Sequence, residues 1–220
     1  MSLFTKAFSP APAPLTKNLL LFSSPLLNFC NITVFSLTKR IFLGIGIDLK
    51  LDDLHAKLSA FNKHLDWIPD QDLHIPLNYL GRLLHQDINA VGITIKTIVE
   101  KYQPFTLKPQ YLETLYKKHE ESQIYVSLAG QVDILSQLQK ELAKNLDEVS
   151  AQPKRYFPNI TIATLKKTDH ETTKQILNKI SDLDLKLDIP EFLVNKITLY
   201  EKLFHRDSIT IQKIRDFVLK

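Results

Sequence analysis

The chain has 220 residues, 44% of them hydrophobic and 24% charged, with a formal charge of +4 and a pI near 9.0. That length buries a substantial core as one domain or two small lobes, and the composition is that of an ordinary soluble globular protein rather than a disordered or collagen-like chain. Cys30 is the only cysteine, which excludes an internal disulfide and points to a reducing, cytoplasmic setting.

The charge is unevenly placed. Residues 1–40 hold Lys6, Lys17, Lys39 and Arg40 and no acid, so the remainder carries 24 bases against 24 acids. The high pI therefore describes the first forty residues and does not by itself indicate a nucleic-acid-binding surface on the body. Residues 1–38 are punctuated by Pro10, Pro12, Pro14 and Pro25 and are apolar from Leu19 to Leu37. A membrane span needs about 20 mostly apolar residues. Here Ser23, Ser24, Pro25, Asn28, Asn31, Thr33 and Ser36 interrupt the run. The favoured reading is a disordered or weakly membrane-associated extension, without stable membrane insertion, ahead of a domain over residues 39–220. A membrane anchor and a secretory signal are the alternatives.

From Arg40 to Ile47 a short apolar run reads as a buried strand. Leu51, Leu54, Leu58 and Phe61 recur at helical spacing and predict a helix over 51–64. Residues 73–80 alternate as a strand. Ile88, Val91, Ile95, Ile98 and Val99 predict a helix over 86–101. Strands are expected at 105–109 and 123–129, followed by a helix carrying Val132, Leu135, Leu138, Leu142 and Leu146. A strand at 157–165, a helix with Ile176, Leu177 and Ile180, and strands at 192–202 and 208–212 complete the order. Strand–helix–strand–helix–strand occurs in 40–110 and again in 123–203, which suggests two similar lobes. Clean alternation favours half-exposed antiparallel sheets over a buried parallel one.

Two segments carry chemistry. In Trp67-Ile68-Pro69-Asp70-Gln71-Asp72-Leu73-His74-Ile75-Pro76-Leu77-Asn78-Tyr79-Leu80-Gly81, strand alternation sets His74, Pro76 and Asn78 on one face and Leu73, Ile75, Leu77 and Tyr79 on the core face. In Phe157-Pro158-Asn159-Ile160-Thr161-Ile162-Ala163, Asn159, Thr161 and Ala163 share a face opposite Ile160 and Ile162. Pro76 offers no N–H, so its strand is expected to be bulged or to lie at a sheet edge. His85, His119, His170 and His205 read as solvent-facing, and none has metal-ligand spacing.

These segments resemble the paired His-x-Thr motifs of the 2H phosphoesterase superfamily, in particular its RNA 2',3'-cyclic phosphodiesterase branch, also called 2'-5' RNA ligases. Phe105-Thr106-Leu107 and Leu199-Tyr200-Glu201 resemble further strands of that frame, and the resemblance covers about residues 40–212. It implies an α+β, bilobal fold with two antiparallel sheets facing across a central cleft and helices outside. It also implies phosphodiester hydrolysis without metal or cofactor, in which one imidazole takes a proton from water, the other protonates the leaving oxygen, and the hydroxyls hold the phosphate. By resemblance His74 matches the proton donor and Thr161 a phosphate-binding hydroxyl. Asn159 stands where the family has its second His, Pro76 where it has Thr, and Thr164 where it often has Arg. Lys166 and Lys167 follow and offer charge. The implied protein is a monomer acting on RNA or nucleotide phosphate ends, with impaired or altered hydrolysis. The alternative is a non-catalytic binder of such ends.

Overall fold

In the computed structural model, which describes residues 38–147, 149, 156–206 and 209–220, the apolar run after Lys39 is strand β1 (Thr38–Gly46). The extension expected over residues 1–38 lies outside the described residues, apart from Thr38 at the start of β1. Next come helix α1 (Asp52–Lys57), strands β2 (Leu65–Trp67) and β3 (His74–Leu84), and helix α2 (His85–Val99). Strands β4 (Phe105–Leu115) and β5 (Gln123–Gly130), helix α3 (Val132–Asn145), strand β6 (Asn159–Leu165) and helix α4 (His170–Ser181) follow. The chain ends with β7 (Phe192–Val194), β8 (Lys196–Phe204) and β9 (Ile209–Val218).

The strands form two antiparallel sheets, one in the order β3-β1-β8-β9 and one in the order β2-β6-β5-β4-β7. Two antiparallel sheets with helices in an α+β fold are as expected, and each sheet draws strands from both halves of the sequence. The first half contributes β2 and β4 to the five-stranded sheet, and the second half returns β8 and β9 to the four-stranded sheet. The single strand expected over 192–202 breaks at Asn195, where the chain leaves one sheet and enters the other.

Each helix buries the stripe its sequence predicts. Ile88, Val91, Ile95, Ile98 and Val99 of α2 are all buried, as are Leu135, Leu138 and Leu142 of α3. Fully burying one such side chain stabilises the fold by about 1.5–3 kcal/mol. The helix expected over 51–64 is α only to Lys57; a 3₁₀ turn over Ser59–His64 then leads directly into β2. Pairing of Leu65, Asp66 and Trp67 with Leu165, Thr164 and Ala163 overrides the helical spacing. A side-chain cap also sets α4, where the Asp169 carboxylate accepts from the Thr172 N–H at 2.8 Å.

Candidate active site

The first motif strand, β3, is an edge strand, as Pro76 requires, and it is bulged twice against β1. Leu43 pairs with Asn78 and Gly44 with Pro76, leaving Leu77 as an extra residue; Leu80 is extra in the same way between Tyr79 and Gly81. Gly81 has φ +72°, a conformation that favours a residue without Cβ. These insertions reset the alternation. His74 and Pro76 are half-buried and Ile75 and Leu77 are core, as expected, but Tyr79 is 52% exposed and Asn78 only 1% exposed. Tyr79 therefore shares the His74 face, and both rings flank Phe42, at centroid distances of 6.0 and 5.0 Å.

His74 is held from two sides. Its Nδ1 donates to the Asp72 carbonyl at 2.7 Å, which leaves Nε2 as the acceptor nitrogen of the neutral ring. Behind it lies Gly44, where a Cβ would come within 3.3 Å of the His74 Cδ2 and 3.1 Å of the Ile75 carbonyl. Burial pushes the His74 imidazole below its ordinary pKa; the Asp72 carbonyl and carboxylate oppose this, and the Lys202 charge adds to it. The ring is consequently neutral at neutral pH.

The second motif strand, β6, lies inside the five-stranded sheet, between β2 and β5. Asn159 Nδ2 donates to the Phe157 carbonyl at 3.0 Å, and Asn159 Oδ1 accepts from Thr161 Oγ1 at 3.2 Å. Both motif residues thus bond the carbonyl two positions earlier, His74 through an imidazole nitrogen and Asn159 through its amide nitrogen. Tyr156 brings the motifs together: its hydroxyl donates to the Pro76 carbonyl at 3.2 Å. A register shift between Ile124 and Tyr125 lets Ala163 turn into the core, where it is 0% exposed. Ala163 is therefore not on the Thr161 face, as strict alternation suggested. Thr164 is half-buried, between Asp66 and Gln123.

Sequence reasoning singled out His74, Asn159 and Thr161 but not the aromatic wall around them. Phe42 and Tyr200 flank His74 and stack on each other at 5.2 Å, and Tyr79 packs on Phe42 at 6.0 Å. The signal was present in Phe42, the one aromatic residue of β1, and in Tyr200, which the motif frame already included. Beside this wall a cavity of about 450 Å³ is lined by Gly46, Leu73, Thr198, Tyr200, Lys196 and Lys213, among others. Asp216 ties its floor: burial alone would raise this carboxyl, but hydrogen bonds from Thr198, Lys213 and Lys196 outweigh that and bring it down to about 2.

Lys166 and Lys167 do not join the motif. They line a separate cavity of about 450 Å³ with Lys117, Lys118, His119 and His170, and Lys166 lies 3.8 Å from Asp66. His85, His119, His170 and His205 are all exposed. Among the described residues no three His, Cys, Asp or Glu side chains cluster as metal ligands, and no helix is long and apolar enough to cross a membrane.

No known family model matches the chain. It is 25% identical over 169 residues to an RNA 2',3'-cyclic phosphodiesterase of Aquifex aeolicus, covering 73% of this chain and 86% of the relative. Its fold is similar to E. coli LigT complexed with 3'-AMP, with a TM-score of 0.62 at 16% identity over 83% of this chain and 98% of that one. It is also similar to TT0787 of Thermus thermophilus, with a TM-score of 0.60 at 14% identity over 81% and 97%. The two-sheet fold matches that of these solved structures, and with the ordered motif frame and the Aquifex relative it supports the resemblance to the 2H phosphoesterase superfamily.

Proposed function

We propose that the chain hydrolyses 2',3'-cyclic phosphate ends of RNA or nucleotides, with one acid–base group where the resemblance implies two. The observation that carries this reading is His74, fixed on the Asp72 carbonyl through Nδ1 and kept neutral by burial. A neutral imidazole with Nδ1–H committed has its Nε2 lone pair available to take a proton. In the proposed step a water oxygen attacks phosphorus, its proton passes to the His74 Nε2, and one ribose–oxygen bond to phosphorus breaks. The leaving ribose oxygen takes its proton from solvent, because the Asn159 amide is not an acid at neutral pH. Thr161 Oγ1 exchanges its bond to Asn159 for one to a phosphate oxygen. His74 is thus assigned to proton acceptance, in contrast to the donor role the resemblance implies. The product, a ribose 2'- or 3'-phosphate, is of the class held by the LigT neighbour in its 3'-AMP complex.

Loss of one general acid–base group costs about 10²–10⁴ in rate, so turnover should be slow. The second reading, a non-catalytic binder of phosphate ends, is favoured by Asn159 alone. The full chain, incubated with a short RNA ending in a 2',3'-cyclic phosphate, separates the two. Slow hydrolysis abolished by His74→Ala supports the enzyme. Retention of the RNA end without turnover supports the binder. Neither turnover nor retention would exclude both.

A further inference from the structure

The face of the four-stranded sheet that carries His74 continues past it toward the β8–β9 turn. Residues two apart on a strand share a face, so Arg40 follows Phe42 on β1, and Lys202 and Phe204 follow Tyr200 on β8. The side chains confirm this placement. The Arg40 guanidinium lies 4.2 Å from the Phe204 ring centroid and the Lys202 ammonium 5.6 Å from it. Arg40 pairs across the ladder with Arg82 of β3. Phe204 is 49% exposed and Tyr79 52% exposed, although both are large rings on a sheet face.

Among the described residues, Arg40, Arg82 and Lys202 have no carboxylate partner. Glu201, next to Lys202, points to the other face and is bound by Lys39 at 2.6 Å. A solvated sheet end would carry mixed charges and few rings. This one alternates cations with exposed rings, the pattern by which proteins hold single-stranded nucleic acid through stacking and phosphate contacts.

We infer that this stripe is a track for single-stranded RNA, with Tyr79 and Phe204 stacking bases and Arg40, Arg82 and Lys202 meeting phosphates, so that a polynucleotide end is preferred over a mononucleotide. The inference rests on the function proposed above, because it takes the phosphate end to lie at His74. From Tyr200 to Phe204 the strand advances about 13 Å. Stacked nucleotides advance about 3.4 Å each, so the track holds about four.

The test measures binding of the full chain to 5'-fluorescent oligouridylates of one, four and eight residues, each ending in either a 3'-phosphate or a 3'-hydroxyl. Affinity should rise about ten-fold or more from one residue to four and then level off. Phe204→Ala combined with Arg40→Ala should remove that rise. Phe204→Leu, which keeps the apolar volume and loses the stack, should reduce it. Each cation removed should lessen the slope of log affinity against log salt by about 0.7. Affinity independent of length, or variants with the full length dependence, would overturn the track. A 3'-phosphate preference without length dependence overturns the track and leaves the proposed function standing. Length dependence with equal affinity for both ends supports the track and counts against that function.

Discussion

Replacing Asn159 by His is the sharpest perturbation, because the strand is already shaped for an imidazole. Asn159 Nδ2 bonds the Phe157 carbonyl at 3.0 Å, as His74 Nδ1 bonds the Asp72 carbonyl at 2.7 Å. In Asn159→His the introduced Nδ1–H takes over the bond to Phe157. The bond from Thr161 Oγ1 is lost, at a cost of about 0.5–1.5 kcal/mol for one partly exposed hydrogen bond. The fold should therefore survive with a small fall in stability, while Thr161 is freed for phosphate. A second acid–base group is worth about 10²–10⁴ in rate. The assay is hydrolysis of an RNA 2',3'-cyclic phosphate across pH by wild type, Asn159→His and His74→Ala. Under the proposed step, wild type turns over only with His74 deprotonated. Its rate should rise with pH through a pKa below the ordinary 6.5 and stay flat above. Asn159→His should gain at least ~10² and become bell-shaped, because one group must then be protonated and the other not. A folded Asn159→His protein with no gain would refute the reasoning. So would a wild-type rate that falls as pH rises through 6.5, since that is the behaviour of an acid.

Asp216, held near 2 by Thr198, Lys213 and Lys196, contributes stability that is full above about pH 4 and lost as pH falls toward 2. Discounted for its partial exposure, that contribution is about 1–2 kcal/mol. Asp216→Asn should lower the urea-unfolding free energy at pH 7 by that amount and flatten its pH dependence below about 4. Gly44→Ala places a methyl 3.1 Å from the Ile75 carbonyl and 3.3 Å from His74. It should cost about 1–3 kcal/mol in thermal unfolding and displace the imidazole, lowering any turnover further. Tyr156→Phe removes the bond to the Pro76 carbonyl and should cost about 1 kcal/mol, read by denaturant unfolding.

The sequence disclosed periodicity well and pairing poorly. The stripes Ile88–Val99 and Leu135–Leu142 are the helices α2 and α3, because each helix settles its own burial through local spacing. Which sheet a strand joins depends on partners far along the chain. Nothing in Leu65-Asp66-Trp67 alone announces a strand, yet it completes the edge of the five-stranded sheet beside β6. Pro109 reads as a strand end, but β4 runs on to Leu115 because the register shift between Pro109 and Leu112 absorbs the missing N–H.

The same logic decides what was legible at the site. Pro76 foretold an edge and a bulge, since a residue without N–H has few other places in a sheet, and β3 shows both. The consequence of the bulge was not legible: one extra residue moves every later side chain to the opposite face. That displacement takes Tyr79 out of the core and sets it beside Phe42, which also packs on His74. A strand that looks damaged at Pro76 has thereby acquired an exposed ring on the motif face. Asn159 follows a parallel course, since its amide keeps the backbone bond an imidazole would make while lacking a titratable nitrogen. Asn159 keeps its backbone bond and changes only what the strand presents, whereas Pro76 sits beside a bulge that re-aims the residues after it, so one departure alters the chemistry of the site and the other its geometry.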